Sequence, residues 1–251
     1  MAKQKQEAIF GIRATIEAIN SEKEIDKVMF RKGLVGRLYQ DLFNLVREKN
    51  IPHQFVPAEK INALNERNNQ GVVAFIAPVE YQEIEEVLPT IIAEGKTPLL
   101  LILDHLTDVR NFGAIARSAE CAGVQAIIIP FKNSAKITPD AIKTSAGALH
   151  TIPVCRVQNL KTTARYLKHE GIHIIASTEK GEKLYTEANF TLPTAIILGA
   201  EDTGIDEGLL RLSNESVKIP IFGNIESLNV SVAASLLIYE AIRQRNQILH
   251  P

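Results

Sequence analysis

Tryptophan is absent from the 251 residues and cysteine occurs only twice. Cys121 and Cys155 stand too far apart for a CxxC pair, and two thiols make no disulfide framework, so both read as small core residues in a reducing compartment. No apolar run approaches the ~18 residues of a spanning helix. The opening stretch MAKQKQEAIFGIRATIEAIN holds no apolar segment of signal-peptide length. A cytoplasmic protein with no membrane contact is therefore expected. No GxGxxG, GxxxxGK[ST] or GxSxG string occurs, which argues against a nicotinamide-type Rossmann site, a P-loop and a serine-hydrolase elbow. His53, His105, His150, His169, His173 and His250 read as structural or solvated side chains, and no metal is expected. An excess of charge is lacking too: 28 Lys and Arg against 29 Asp and Glu leave a net charge of −1, so no gross basic surface advertises nucleic acid.

What remains is an ordinary globular composition, 45% hydrophobic, long enough for one or two domains with real cores. Its charge is uneven along the chain. Residues 1–78 carry 12 Lys and Arg against 9 Asp and Glu, residues 79–97 carry 1 against 5, and residues 98–251 carry 15 of each. Periodicity over residues 8–78 alternates: helix at 12–19, strand at 25–30, helix at 34–49, strand at 52–56, helix at 58–65 and strand at 71–79. That order suggests a small three-layer α/β domain. Residues 79–97 read as an acidic linker leading into a helix. From residue 98 onward short apolar strands (99–103, 126–129, 151–156, 173–177, 195–198, 217–221) alternate with helices (112–122, 139–145, 160–170, 207–211, 230–247). This implies a parallel sheet covered on both faces.

Three stretches of that second domain can carry chemistry. Asn111-Phe112-Gly113-Ala114-Ile115-Ala116-Arg117 follows a strand, with Asn111 suited to cap a helix and Arg117 suited to hold a phosphate with its fork. Leu198-Gly199-Ala200-Glu201-Asp202-Thr203-Gly204 follows another, with Gly199 leaving room for a ligand and Glu201 at the mouth of the sheet. The longest runs from Lys218 to Glu240, KIPIFGNIESLNVSVAASLLIYE, where Ser227 and Asn229 can cap the final helix or meet a ligand. Each stretch alone also fits a plain strand–loop–helix connection.

Taken together and in this order, the three resemble the signatures of the SpoU-type RNA ribose 2'-O-methyltransferases of the SPOUT superfamily: Asn-x-Gly-x-x-x-Arg, Leu-Gly-x-Glu-x-x-Gly, and the terminal Ser-Leu-Asn-Val motif. GIRATIEAI and NNQGVVAF resemble that family's N-terminal substrate-binding domain, although Asn69 stands where the family commonly has His and Val109 where it has Pro. The resemblance implies an α/β catalytic domain, residues 98–251, with a trefoil knot at its C-terminal end. Residues 1–78 would be the RNA-binding domain. It implies methyl transfer from S-adenosylmethionine by a homodimer. Asn111, Arg117, Glu201, Ser227 and Asn229 would form the catalytic set, and Leu198, Gly199, Ile219, Ile221, Ser227 and Leu228 the cofactor site. Arg117 is either the proton acceptor proposed for the family or, as its high pKa favours, a phosphate clamp. The two-domain layout looks most like the members that methylate a guanosine ribose of 23S ribosomal RNA. Transfer RNA is the alternative substrate. A non-catalytic RNA-binding protein that keeps the fold, and a metabolite-binding α/β protein, are the other classes.

Overall fold

A computed structural model describes residues 7–64 and 69–249. The chain forms two compact units, one of residues 1–80 with 137–139 and one of 81–136 with 140–251.

In the smaller unit the elements run β1 (Ala8–Phe10), α1 (Ile12–Asn20), β2 (Ile25–Arg31), α2 (Arg37–Glu48), β3 (His53–Val56), α3 (Ala58–Asn62) and β4 (Val72–Ile76). The sheet order is β1-β4-β2-β3, with β2 and β3 parallel and the other pairs antiparallel. Alternation along β2 splits its side chains. Val28 and Phe30 join Leu42 and Val46 of α2 beneath α1 and α2, while Met29 joins Ile61 of α3 on the opposite face. The helix expected at 58–65 ends at Asn62, and its expected last residue, Asn65, lies outside the described residues. The turn before β4 is tied locally: Asn69 Oδ1 accepts from the Gly71 amide at 2.9 Å, and Gln70 Oε1 accepts from the Ile12 amide at 3.0 Å.

The larger unit continues with β5 (Tyr81–Gln82), α4 (Ile84–Ala93), β6 (Leu99–Asp104), α5 (Val109–Cys121), β7 (Ala126–Pro130), α6 (Pro139–Thr144), β8 (Val154–Val157), α7 (Leu160–His169), β9 (His173–Ser177), β10 (Lys183–Leu184), β11 (Thr194–Gly199), α8 (Glu207–Leu210), β12 (Glu215–Lys218) and α9 (Val230–Leu249). Eight strands form one parallel sheet in the order β10-β12-β9-β11-β6-β7-β8-β5. All six residues of β6 are buried, as expected for a central strand covered on both faces. One face packs Leu100, Ile102, Ile128 and Ile197 against Ile84 and Leu88 of α4, Leu167 of α7 and Leu209 of α8. Residues 81–93 are thus part of this unit: β5 pairs with β8, and α4 buries its apolar side in this core. Among the described residues no helix is long and apolar enough to cross a membrane.

The expected strand at 217–221 is observed as β12, ending at Lys218. Its pairing with β9 stops at Val217, and Pro220 has no N–H to continue a ladder. From Ile219 to Leu228 the chain makes no hydrogen bond to any described residue.

Candidate active site

Three neighbouring strands, β12, β9 and β11, end on one side of a cleft of about 610 Å³. Ligands of open parallel sheets bind beyond such strand ends. The cleft is lined by Ser177–Lys180 after β9, by Leu198–Ile205 after β11, by Ile219, Ile221 and Glu226–Leu228 after β12, and by Val230 and Ala233 of α9. All six residues read from the sequence as cofactor contacts, Leu198, Gly199, Ile219, Ile221, Ser227 and Leu228, line this one space. So does Glu201.

Gly199 has a different reason for being glycine from the one read in the sequence. A Cβ at this position would fall onto the backbone of Gly204 and Ile205, well inside van der Waals contact. The loop folds back on itself, with Ala200 and Gly204 bridged and the Gly204 amide donating to the Ala200 carbonyl at 2.9 Å. The glycine therefore lets the loop close before any ligand arrives.

Beside the cleft, three polar side chains meet. Asn229 Nδ2 donates to Asn111 Oδ1 at 2.9 Å and to Glu201 Oε1 at 3.0 Å. Asn111 Nδ2 lies 3.4 Å from the same Glu201 oxygen, which also accepts from the Val230 amide at 3.2 Å. Glu201 thus puts a negative charge on the first turn of α9, where the helix dipole favours it. Asn229 caps that helix, its Oδ1 accepting from the Ser231 amide at 2.9 Å and from the Ser231 hydroxyl. Segments more than a hundred residues apart are tied together at one point.

The structure redistributes three sequence assignments. Asn111 is not the cap of α5: Asp108 is, accepting from the Asn111 amide at 2.7 Å. That leaves the Asn111 side chain free for Glu201 and Asn229. Ser227 does not cap α9, and it stays exposed on the cleft wall without a hydrogen bond to a described residue. Arg117 is not in the cluster. Six residues after Asn111, at about 100° per residue, it leaves the helix on another side, exposed and with no partner among the described residues. Ser118 instead shares Asn111's stripe and accepts from the Ser235 hydroxyl of α9 at 2.9 Å.

A support the sequence did not signal lies behind the loop. Buried Asp104, at the end of β6, accepts from the Asp206 amide at 2.8 Å and holds His105 Nδ1 at 2.7 Å. Asp206 in turn pairs with Lys161 at 2.8 Å and caps α8. The Lys161 ammonium, followed by the Gly208 and Leu209 amides, holds the Asp206 carboxyl below the usual carboxylate range against its partial burial.

One string has zinc-site spacing: His169-Glu170-Gly171-Ile172-His173. A metal would need both histidines on one helix face. Here α7 ends at His169, Gly171 turns the chain at φ 81°, and His173 opens β9, bound to Glu215 at 2.7 Å. Among the described residues no group of three or more His, Cys, Asp or Glu side chains could hold a metal; His250 lies outside them.

Residues 98–239 match the profile of the SpoU rRNA methylase family, and residues 8–82 match the RNA 2'-O ribose methyltransferase substrate-binding profile. The chain belongs to the SpoU rRNA methylase family. A Staphylococcus saprophyticus protein, assigned provisionally to the TrmH family of tRNA/rRNA methyltransferases, is 36% identical over 240 residues, 96% of either chain. Bacillus subtilis YacO, with the same provisional assignment, is 32% identical over 245 residues, 98% of either chain. The fold of this SpoU-family chain is similar to that of the SpoU methyltransferase AviRb from Streptomyces viridochromogenes, whose crystal structure is in complex with the cofactor AdoMet: TM-score 0.62, 23% identity, covering 96% of this chain and 90% of that one.

The cleft of this SpoU-family chain suits a nucleoside sulfonium. Leu198, Ile219, Ile221 and Leu228 offer apolar surface for a base, and the unpaired backbone of residues 219–228 offers hydrogen-bonding groups for its edge. Five carboxylates, Glu179, Glu201, Asp202, Glu207 and Glu226, against the single ammonium of Lys180 favour a cationic guest.

Proposed function

We propose that this protein transfers a methyl group from S-adenosylmethionine to a ribose 2'-hydroxyl of RNA. The observation that carries the reading is the Asn111–Glu201–Asn229 cluster set beside a cleft lined by all six candidate cofactor residues. The donor brings its methyl already activated on a sulfonium. The remaining tasks are positioning, which can supply several kcal/mol of a barrier, and passing the 2'-hydroxyl proton to a substrate phosphate oxygen or to water as S-adenosylhomocysteine leaves. Leu198, Gly199, Ile219, Ile221, Ser227 and Leu228 hold the donor. Asn111, Asn229 and Ser227 orient the ribose, Glu201 fixes the two asparagines, and Arg117 clamps a phosphate.

Ribosomal RNA is the substrate, a guanosine of 23S rRNA as in RlmB; the TrmH-type relatives keep tRNA as the second reading. The protein works in the cytoplasm as a homodimer with a knotted C-terminal end. Val232, Leu236 and Tyr239, at helical spacing on α9, are exposed apolar side chains suited to that interface. Residues 1–78 select RNA, and Arg13, Arg31, Lys32 and Arg37 reach phosphates.

Mapping 2'-O-methylation across total RNA, from cells with and without the gene, tests the reaction and names the nucleotide. If no ribose methyl group is lost on deletion, the proposal fails. A fragment of residues 81–251 tests the division of labour. It should keep its affinity for S-adenosylhomocysteine and bind RNA far more weakly. Unchanged RNA affinity would refute an RNA-selecting role for residues 1–78.

A further inference from the structure

The segment between β12 and α9 enters the cleft, leaves it and returns. Ile219 and Ile221 line the cleft on the way in, and Glu226, Ser227 and Leu228 on the way back. The tip between them carries Phe222, 95% exposed, and Ile225, 77% exposed, on either side of Gly223 and Asn224. Phe222 is the most exposed large apolar side chain among the described residues. Among the described residues nothing covers this tip, and its backbone bonds to none of them.

We propose that Phe222, with Ile225 beside it, forms a stacking platform for an unpaired nucleobase of the RNA substrate, the base of the acceptor nucleotide or its immediate neighbour. The inference rests on the methyl-transfer reading given above. Transfer requires the acceptor oxygen within about 3–3.5 Å of the donor methyl. The base joined to that ribose then lies within one nucleotide of the cleft mouth, where the tip stands. Sequence-specific RNA recognition mostly targets unpaired nucleotides in loops, bulges and ends, and such splayed bases are held chiefly on aromatic faces. The rim is also separate from the exposed apolar surface of α9. Val232, Leu236 and Tyr239 line a different concavity with Tyr185, and it shares no lining residue with the cleft. The tip is therefore not part of the apolar surface that α9 offers to a second copy.

Stacking reads the presence of a base more than its identity, so the platform sets affinity and unpairing rather than sequence. The test uses the full chain and its Phe222→Ala and Phe222→Trp variants. Total RNA from cells lacking the gene is the acceptor, with a radiolabelled methyl donor. Phe222→Ala should raise the half-saturating RNA concentration roughly tenfold or more, the usual worth of one stacked base. Phe222→Trp should restore it to within about threefold, since an indole face stacks at least as well. Affinity for S-adenosylhomocysteine and the sedimentation coefficient should match wild type in both.

An unchanged half-saturating concentration in Phe222→Ala overturns the platform while leaving the methyltransferase reading intact. A shift to a smaller species would assign the tip to a second copy of the chain, and a loss of S-adenosylhomocysteine affinity would make it a cover for the cofactor; either refutes the base. A wild-type chain that transfers no methyl to this RNA overturns the functional reading itself, and the platform with it.

Discussion

Replacing Glu201 by Gln probes the active-site cluster with almost no change of shape. One carboxylate oxygen accepts from Asn229 at 3.0 Å, from the Val230 amide at 3.2 Å and, at the edge of hydrogen-bond range, from Asn111 at 3.4 Å. Gln keeps an acceptor there but removes the charge. A bond to a charged group contributes about 1.5–3 kcal/mol and a neutral one about 0.5–1.5, so the two shorter bonds lose about 1 kcal/mol each. The lost charge at the start of α9 adds about 0.3–1 kcal/mol, taken at its lower end because Glu201 is exposed. Some 2 kcal/mol of order in Asn111 and Asn229 disappears, which at about 1.4 kcal/mol per decade lowers kcat/KM roughly thirtyfold. Single-turnover methylation measures it. Calorimetry adds a second readout: the cationic donor should lose more affinity than neutral S-adenosylhomocysteine. Methyl transfer within about twofold of wild type would refute the idea that the Glu201 charge organises the two asparagines.

Gly199→Val should lose donor binding because the loop can no longer fold back onto Gly204, and its amides should show increased hydrogen exchange even without ligand; unchanged exchange would return the blame to direct obstruction of the cleft. Arg245 of α9 donates to the carbonyls of Phe190, Thr97, Pro98 and Leu192 at 2.8–2.9 Å. Arg245→Met keeps the stem but leaves the Phe190 and Thr97 carbonyls without a donor among the described residues, while Thr194 still donates to Pro98 and Leu192, so Tm should fall by about 4–8 °C for a loss of roughly 2 kcal/mol, and a shift under 2 °C would show the clasp to be idle. Cys121 is exposed and should react with a thiol reagent, whereas Cys155 should not until the chain unfolds. Burial, with Glu83 and Glu85 nearby, pushes the Cys155 thiol up to about 12. An unfolded thiol ionises near 8.5, so this residue's contribution is complete below about pH 8.5 and is lost as pH climbs toward 12. Stability that is flat over that range in wild type but not in Cys155→Ala would contradict the sign.

Periodicity found the long elements because their apolar spacing is set by burial on one face or both. It could not find β1, β5 and β10, which have three, two and two residues, too few for any period. The tip loop was legible as a turn from Gly223 and Asn224, but that its flanks face a cleft depends on strands far away in the chain. Asp108 and Asn111 both have side chains that cap helices, and only the distant claims of Asn229 and Glu201 on Asn111 decide between them. Arg117 joins Asn111 through the family motif alone, and six residues along a helix put the two side chains on different sides. Asp104, Asp206 and Lys161 carried no motif; what joins them is the register that sets Asp104 beside Gly199. The His169–His173 spacing misleads for the same reason in reverse, since a helix end intervenes.

The central strand has a further consequence, for synthesis. β6 is flanked by β7, which follows soon after it, and by β11, which is made much later: Leu99 pairs with Thr194 about 95 residues downstream. At about 5–20 residues per second, one edge of LLLIL waits roughly 5–20 s for its neighbour. An unpaired apolar strand edge is a template for any other strand nearby. The nascent chain therefore carries a sticky margin through the synthesis of about 95 residues, and holdase chaperones that cover such edges should raise its yield most at the start of that interval.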